Sequence, residues 1–343
     1  MLEGHPPEAL AVANRLETAA DITANRDHAL PLLDSLYGDP SMSRLCILDG
    51  GMSRELLRLG AELKQPEWSA LALVNSPDIV RKVHEEFIAA GSDVVTTNSY
   101  ALVPFHIGEE RFQREGAALI ALSGKLARQA ADAVKDRKVL VAGSLPPIFG
   151  SYEPQNFDPL RVQDYLKVLV EQLNPFVDVW LGETLSLIAE GEAVRTAVAA
   201  NGKPFWISFT LADDEAQVRG GEPKLRSGER VDDAANWAAS SGAQALLFNC
   251  SKPEVMRAAV ETGSRVFKDR GSTVEIGVYA NAFEGEQNDS GANEGLHTTR
   301  NDLNDDTYSR FACSWAEAGA TIIGGCCGIG AGHIHRLKKT LLG

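Results

Sequence analysis

Eight short apolar, β-branched runs recur along this chain at wide and fairly regular intervals, and helical patterns fill the gaps between them. The runs are "RLCILDG" (44–50), "DVVTTNS" (93–99), "KVLVAGSL" (138–145), "VDVWLGET" (177–184), "PFWISFT" (204–210), "QALLFNC" (244–250), "EIGVYAN" (275–281) and "ATIIGGCC" (320–327). Each is short and apolar on both faces, as strands of a covered parallel sheet must be. Between them, "SPDIVRKVHEEFIAAG" (76–91) opens with a Ser-Pro cap and N1 pair, spaces its apolar residues at helical intervals and stops at Gly91. "DPLRVQDYLKVLVEQLN", "PEVMRAAVETGSRVFKD" and "DTYSRFACSWAEAG" read the same way. Strand and helix alternating eight times predict an α/β fold, a single (βα)8 TIM barrel. A doubly wound open sheet competes, but the count of eight and the lack of a second composition block favour the barrel.

The chain's length suits that reading. At 343 residues it could hold two average domains, yet α/β barrels run to roughly 250 residues or more as one unit. The net charge of −14, from 33 basic and 47 acidic residues, argues against nucleic acid or an anionic membrane surface as partner, since both call for basic patches. No apolar run reaches the ~18 residues of a membrane span. The N-terminus lacks the basic-then-apolar pattern of a secretory signal. Five cysteines, an odd number in a long chain, read as thiols kept in a reducing cytoplasm. Residues 1–41 hold no obvious strand and read as a short N-terminal extension, helical or in part disordered, ahead of a barrel over residues 42–343. The acidic, Gly/Asn-rich stretch 281–305 follows the seventh strand and should overhang the mouth of the barrel. Nothing in the sequence fixes an oligomeric state.

Active sites of such barrels lie at the C-terminal ends of the strands, and polar and sulfur-bearing residues collect there. Asp49 follows the first strand, Thr96, Thr97 and Asn98 the second, and Glu183 ends the fourth. Asn249 and Cys250 end the sixth, Asn281 the seventh, and Cys326 and Cys327 the eighth. A helix cap competes for Asp49 and a buried salt bridge for Glu183. Thr97, Asn98 and Ser99 also suit local hydrogen bonding, and Asn249 suits either an orienting role or a plain strand end. His84 and His106 read as helix-surface or loop residues.

If the barrel closes, Cys250, Cys326 and Cys327 share one rim. Three converging thiolates suit Zn2+, which prefers soft sulfur in a tetrahedron, and three protein ligands leave the open position of a catalytic site. Gly324, Gly325 and Gly328 allow the tight turn that lets adjacent cysteines reach one ion. Cys46, within a strand, and Cys313, within a helix, read as small buried hydrophobes. A phosphate-binding loop is a poor match, because "GGCCGIG" lacks the G-x-G-x-x-G spacing and no Lys-Ser/Thr follows.

Taken together, "ILDGGMSREL", "GSDVVTTNSY", "GETLS", "FNCS" and "IIGGCCGIG" occur in the order and spacing of the zinc-dependent homocysteine S-methyltransferases, which this chain resembles over about residues 44 to 340. The resemblance implies that Cys250, Cys326 and Cys327 hold zinc and that the homocysteine sulfur takes the fourth place. It implies that Asp49 and Glu183 grip the ammonium, while backbone amides near Gly50 and Gly51 meet the carboxylate. Thr97, Asn249 and Asn281 join the substrate-binding set. The partners it implies are homocysteine and a cationic methyl donor, with methionine as product. The chain stops soon after the barrel, so a folate or cobalamin domain is not expected. S-methylmethionine, or S-adenosylmethionine as a poorer donor, is then favoured over a betaine-type onium. Trp68, Tyr100, Phe105, Tyr152, Phe209, Tyr279 and Phe283 are candidate walls for such a cation. One departure stands out: the family commonly has glycine two residues after the seventh-strand Asn, where this chain has Phe283. A barrel that binds zinc or thiols without catalysis is the alternative from another class. An aldolase-like lyase would want a strand-end lysine, and no strand here ends in one.

Overall fold

The computed structural model describes residues 45–283 and 299–343. The N-terminal extension expected over 1–41, and most of the acidic stretch after the seventh strand, lie outside the described residues. Eight parallel strands form a nearly closed barrel: β1 (Cys46–Ile47), β2 (Val94–Thr96), β3 (Leu140–Leu145), β4 (Val179–Leu185), β5 (Phe205–Phe209), β6 (Ala245–Asn249), β7 (Glu275–Tyr279) and β8 (Ile322–Ile323). Each pairs with the next, and β8 returns to β1 through Cys46–Ile322 and Ile47–Ile323. Between β1 and β2 the seam is a single bridge, Leu48 to Val94.

A long helix follows each strand, and these carry the strands' numbers: α1 (Pro77–Ala90), α2 (Ala117–Ala133), α3 (Val162–Leu173), α4 (Ile188–Val198), α5 (Val231–Ser241), α6 (Pro253–Arg270), α7 (Asp305–Ala318) and α8 (Ala331–Leu342). The doubly wound alternative is thereby set aside. Helix α1 starts at Pro77 and ends at Gly91 with φ 116°, as its sequence predicts, although Ser76 makes no side-chain cap bond. Pro77 alone sets the start, because its missing N–H would have had no partner in a first turn.

Alternation along the strands divides the apolar residues between two cores. Val179, Leu181, Leu140, Leu247 and Ile322 fill the barrel's interior together with Cys46. Trp180, Val141, Leu246 and Ile323 face the helices. Both faces of each strand are therefore apolar, and that is why the runs read as continuous hydrophobic segments. His84 and His106, expected at a surface, are both buried. His84 points from α1 into the helical layer, where apolar spacing hides one polar ring. No helix among the described residues is long and apolar enough to cross a membrane.

Candidate active site

The strands β1 and β8 end early, and the chain beyond them builds the floor of a cavity at the C-terminal rim. "GGCC" is not extended strand. After Ile323 the N–H groups of Gly324, Gly325 and Cys326 donate to Val278, Asp49 and Ala280 carbonyls, and the Ile329 N–H donates to Cys326 O to close a turn. Gly328, at φ 86°, completes it. In that turn adjacent side chains no longer alternate, so Cys326 and Cys327 both face Cys250 at the end of β6. The three sulfurs lie within 4.8 Å of one another, and those of Cys250 and Cys327 are 3.9 Å apart. Gly51 lies against this turn so closely that a Cβ there would sit 2.5 Å from the Cys326 carbonyl oxygen.

The crowding sets the thiols' acidities. Hydrogen bonds from Cys326 and Cys327, then from Tyr152 and Asn281, hold Cys250 well below the usual thiol range, while its two neighbours are pushed well above it. Tyr152 donates its hydroxyl to Cys250 Sγ at 2.9 Å. The side chain of Asn281 also accepts the Phe283 N–H at 3.3 Å.

Two buried carboxylates line the same cavity. Asp49 accepts the Thr96 N–H at 2.7 Å and the Thr96 hydroxyl at 3.1 Å. Burial pushes its carboxyl up to about 7 despite those bonds, with Glu183 adding to the rise. Glu183 accepts from the hydroxyls of Ser144 and Tyr279, and burial pushes it up to about 7 as well. Neither carboxylate has an ion-pair partner among the described residues. The helix cap once open for Asp49 falls to Gly51, which caps nothing through a side chain, and Glu183 makes no buried salt bridge.

The remaining expected residues divide. Gly50, Gly51 and Thr97 line the cavity with Cys250, Cys326 and Cys327. The Gly51 N–H is already spent on Ile329 O at 2.8 Å, so a carboxylate would have to use other amides there. The first turn of the helix Met52–Arg58, which no side chain caps, also lines the cavity. The Thr97 hydroxyl bonds Ser99 and accepts the Ser144 N–H, a local role. Asn249 stands behind the wall, its amide spanning from Ser208 to Thr184. Of the candidate aromatics, Trp68, Tyr100, Tyr152, Tyr279 and Phe283 line the cavity. Phe105 packs edge-on against His106 and Phe209 against Trp237, both outside it. Thr96, already placed at the end of the second strand by the sequence, orients Asp49, whereas Ser144, which orients Glu183, carried no signal that would have singled it out.

Four non-glycine residues among those described have positive φ: Trp68 (46°), Tyr152 (65°), Thr184 (61°) and Cys250 (49°). All four line this cavity. Each such residue costs on the order of 1–3 kcal/mol and persists only where its surroundings hold it. Strained backbone is thus gathered around a cavity that holds cysteines and carboxylates at the C-terminal rim, the face on which α/β-barrel enzymes carry their active sites.

Comparison with known proteins narrows that class. The sequence profile described as homocysteine S-methyltransferase matches residues 46–341. Homocysteine S-methyltransferase 1 of Arabidopsis thaliana is 28% identical over 323 residues, which cover 86% of this chain and 93% of that protein. The homocysteine S-methyltransferase of Escherichia coli strain K12 is 30% identical over 311 residues, 86% of this chain and 94% of its own. Among solved structures, the metallated form of the Escherichia coli homocysteine methyltransferase MmuM superimposes with a TM-score of 0.70 at 27% identity, covering 89% of this chain and 99% of that one. The chain belongs to the homocysteine S-methyltransferase family and is a methyltransferase.

Proposed function

We propose that this enzyme transfers a methyl group from a sulfonium donor, S-methylmethionine ahead of S-adenosylmethionine, to the thiol of L-homocysteine, with Zn2+ held by Cys250, Cys326 and Cys327. The observation that carries the reading is the gathering of three sulfurs within 4.8 Å in a cavity that two unpaired buried carboxylates share. Three soft donors with no fourth protein ligand among the described residues fit the open coordination of a catalytic zinc. The similarity to a protein solved in a metallated form points the same way.

When bound, zinc would supply a Lewis acid that lowers the pKa of the incoming thiol and presents it as the nucleophile. The protein's own groups do the rest. Asp49 and Glu183 receive the ammonium of homocysteine, and its charge replaces the protons that burial leaves on them. Gly50 and the opening turn of the helix Met52–Arg58 face the carboxylate, while Thr97 contributes to the wall. Asn249 positions the end of β4 that carries Glu183, and Asn281 the turn that carries Cys250. Methyl transfer forms the new sulfur–carbon bond as the donor's carbon–sulfonium bond breaks. The electron pair stays on the donor sulfur, and the thiol's proton leaves to solvent. Trp68, Tyr100 and Phe283 offer π faces to a cationic donor. Phe283, where the family commonly has glycine, favours a second reading in which a betaine-type donor replaces the sulfonium.

Residues 42–343 form the homocysteine-binding barrel in this proposal, with 1–41 as an extension. The five cysteines form no disulfide, in keeping with a cytoplasmic site of action. The test is methionine formation from homocysteine by the reduced, zinc-loaded protein with S-methylmethionine as donor. Turnover that a chelator abolishes supports the proposal. Turnover with betaine alone moves it to the second reading, and no turnover with any onium donor contradicts it.

A further inference from the structure

We infer that Arg226, clamped by Asp213, is a positioning residue that fixes the Tyr152–Cys250 contact and so tunes the thiols of the site. The inference rests on the proposal that Cys250, Cys326 and Cys327 hold a metal. Both members of the Arg226–Asp213 ion pair are buried, their side chains 6% and 3% exposed, with 2.8 Å between Nη1 and Oδ1. The pair alone does not explain the arginine. Its Nε and Nη2 are buried without a hydrogen-bond partner among the described residues, and leaving such donors unmet costs on the order of 1–3 kcal/mol each.

What the guanidinium faces instead is the ring of Tyr152, 5.1 Å from its centroid, within the range of a cation–π contact. Tyr152 in turn donates to Cys250 Sγ at 2.9 Å. Asp213 reaches the same place from the other side. Its Oδ2 accepts the Lys252 N–H at 3.1 Å, and its backbone carbonyl accepts Lys252 Nζ at 3.0 Å. Lys252 lies two residues beyond Cys250. One buried ion pair therefore ties down both ends of the contact, the phenol ring through Arg226 and the cysteine's turn through Asp213. Both Tyr152 and Cys250 have positive φ, the conformations that most need such external support.

The chemical consequence follows from the hydrogen bond. A phenol donating to one of three thiolates draws charge from that sulfur and fixes its direction. Without that bond the sulfur would be free to turn away from Cys326 and Cys327, and the three would hold a metal less tightly. Arg226 also occupies one face of Tyr152, so the donor's cation has only the cavity-side face of that ring, and the positive charge behind weakens even that. Tyr152 thus serves the cysteines, and cation recognition falls to the other aromatic walls.

The test uses the reduced full chain as wild type, Y152F, R226M, R226K and the double variant Y152F/R226M. Each is loaded with Co2+ in place of Zn2+, and the thiolate-to-metal charge-transfer absorption is recorded. Zn2+ affinity is measured beside it by competition with a chelator. R226M is expected to shift the absorption in the same direction as Y152F, and each to weaken Zn2+ binding roughly 10–100-fold. The double variant should be no weaker than the weaker single one, and R226K should restore most of the affinity. Y152F keeps the ring and its packing, so its effect is not one of misfolding. R226M or Y152F matching wild type in both readouts overturns the inference, as does full additivity in the double variant. A wild type that takes up no Co2+ overturns the metal reading and this inference with it.

Discussion

The Asn249 side chain holds both polar atoms of Thr184 that face it: its Oδ1 accepts the Thr184 N–H at 3.0 Å and its Nδ2 donates to Thr184 Oγ1 at 2.9 Å. This fully buried amide, running from β6 to β4, pins a β-branched residue at φ 61°. That conformation is unfavourable for such a side chain, and it belongs to the residue that follows Glu183.

Asn249→Leu should therefore cost stability without touching substrate. Two buried hydrogen bonds and the support of a strained turn amount to roughly 2–4 kcal/mol. Denaturant unfolding of the variant reads the loss directly. A cost below about 0.5 kcal/mol would show that Asn249 is an ordinary strand end. Homocysteine binding should weaken too, because Glu183 loses its fixed neighbour.

Asp49 and Glu183 give the enzyme a defined pH response. Each is raised to about 7, mainly by burial, so at pH 6 both largely keep their protons in the free protein. The folded state then binds more protons than the unfolded chain between about pH 4 and 7, and these groups withdraw stability as pH rises through that window. An ammonium bound between them needs both ionised, so homocysteine affinity should rise with pH toward about 7 and level off above it. Calorimetry near pH 6 in buffers of different ionisation enthalpy should show proton release on binding. Asp49→Asn or Glu183→Gln should reduce that release and weaken binding at least tenfold while the metal stays bound. Loss of the metal in either variant would place that carboxylate in the metal's own shell.

The cysteines should separate into two groups. Cys250→Ala, Cys326→Ala and Cys327→Ala are each expected to abolish zinc retention and turnover. Cys313→Ala, on the half-buried face of α7 and outside the cavity, should leave both close to wild type. Metal analysis of the four proteins after gel filtration decides it. Equal zinc loss in all four would make the cysteines a matter of stability alone.

His84 predicts an acid-sensitive fold that has nothing to do with the active site. Its ring is fully buried, and burial lowers its pKa to about 4. Between pH 6.5 and about 4 the unfolded chain takes up a proton that the folded state refuses, so stability falls as pH falls through that window. The term is about 2–4 kcal/mol. His84→Leu should flatten this part of the stability–pH curve. An unchanged acid limb would show that the ring charges in place.

Much of this arrangement was legible in the sequence because the barrel's rules are periodic. Eight doubly apolar runs set the strand count, and their ends alone put Asp49, Glu183, Cys250, Cys326 and Cys327 on one rim. The turn residues of "GGCC" signalled a departure from the strand. The supporting groups left no comparable trace. Tyr152, Ser144 and Arg226 act through contacts across 39 to 98 positions of sequence, and each is a common residue type in an unremarkable setting. His84 was misplaced because one polar residue in a 3.6-residue apolar stripe cannot be told from its solvent-facing neighbours by pattern alone. The strained φ values at Thr184 and Cys250 are likewise outcomes of tertiary contacts and not of local preference.

The most direct measurement is X-ray absorption at the zinc edge of the reduced protein, with and without homocysteine. The proposed site predicts three sulfur neighbours at about 2.3 Å with one lighter atom in the free enzyme, and four sulfurs once homocysteine is added. A spectrum with three sulfurs that homocysteine leaves unchanged would contradict the claim that these cysteines hold a metal in order to activate the substrate's thiol.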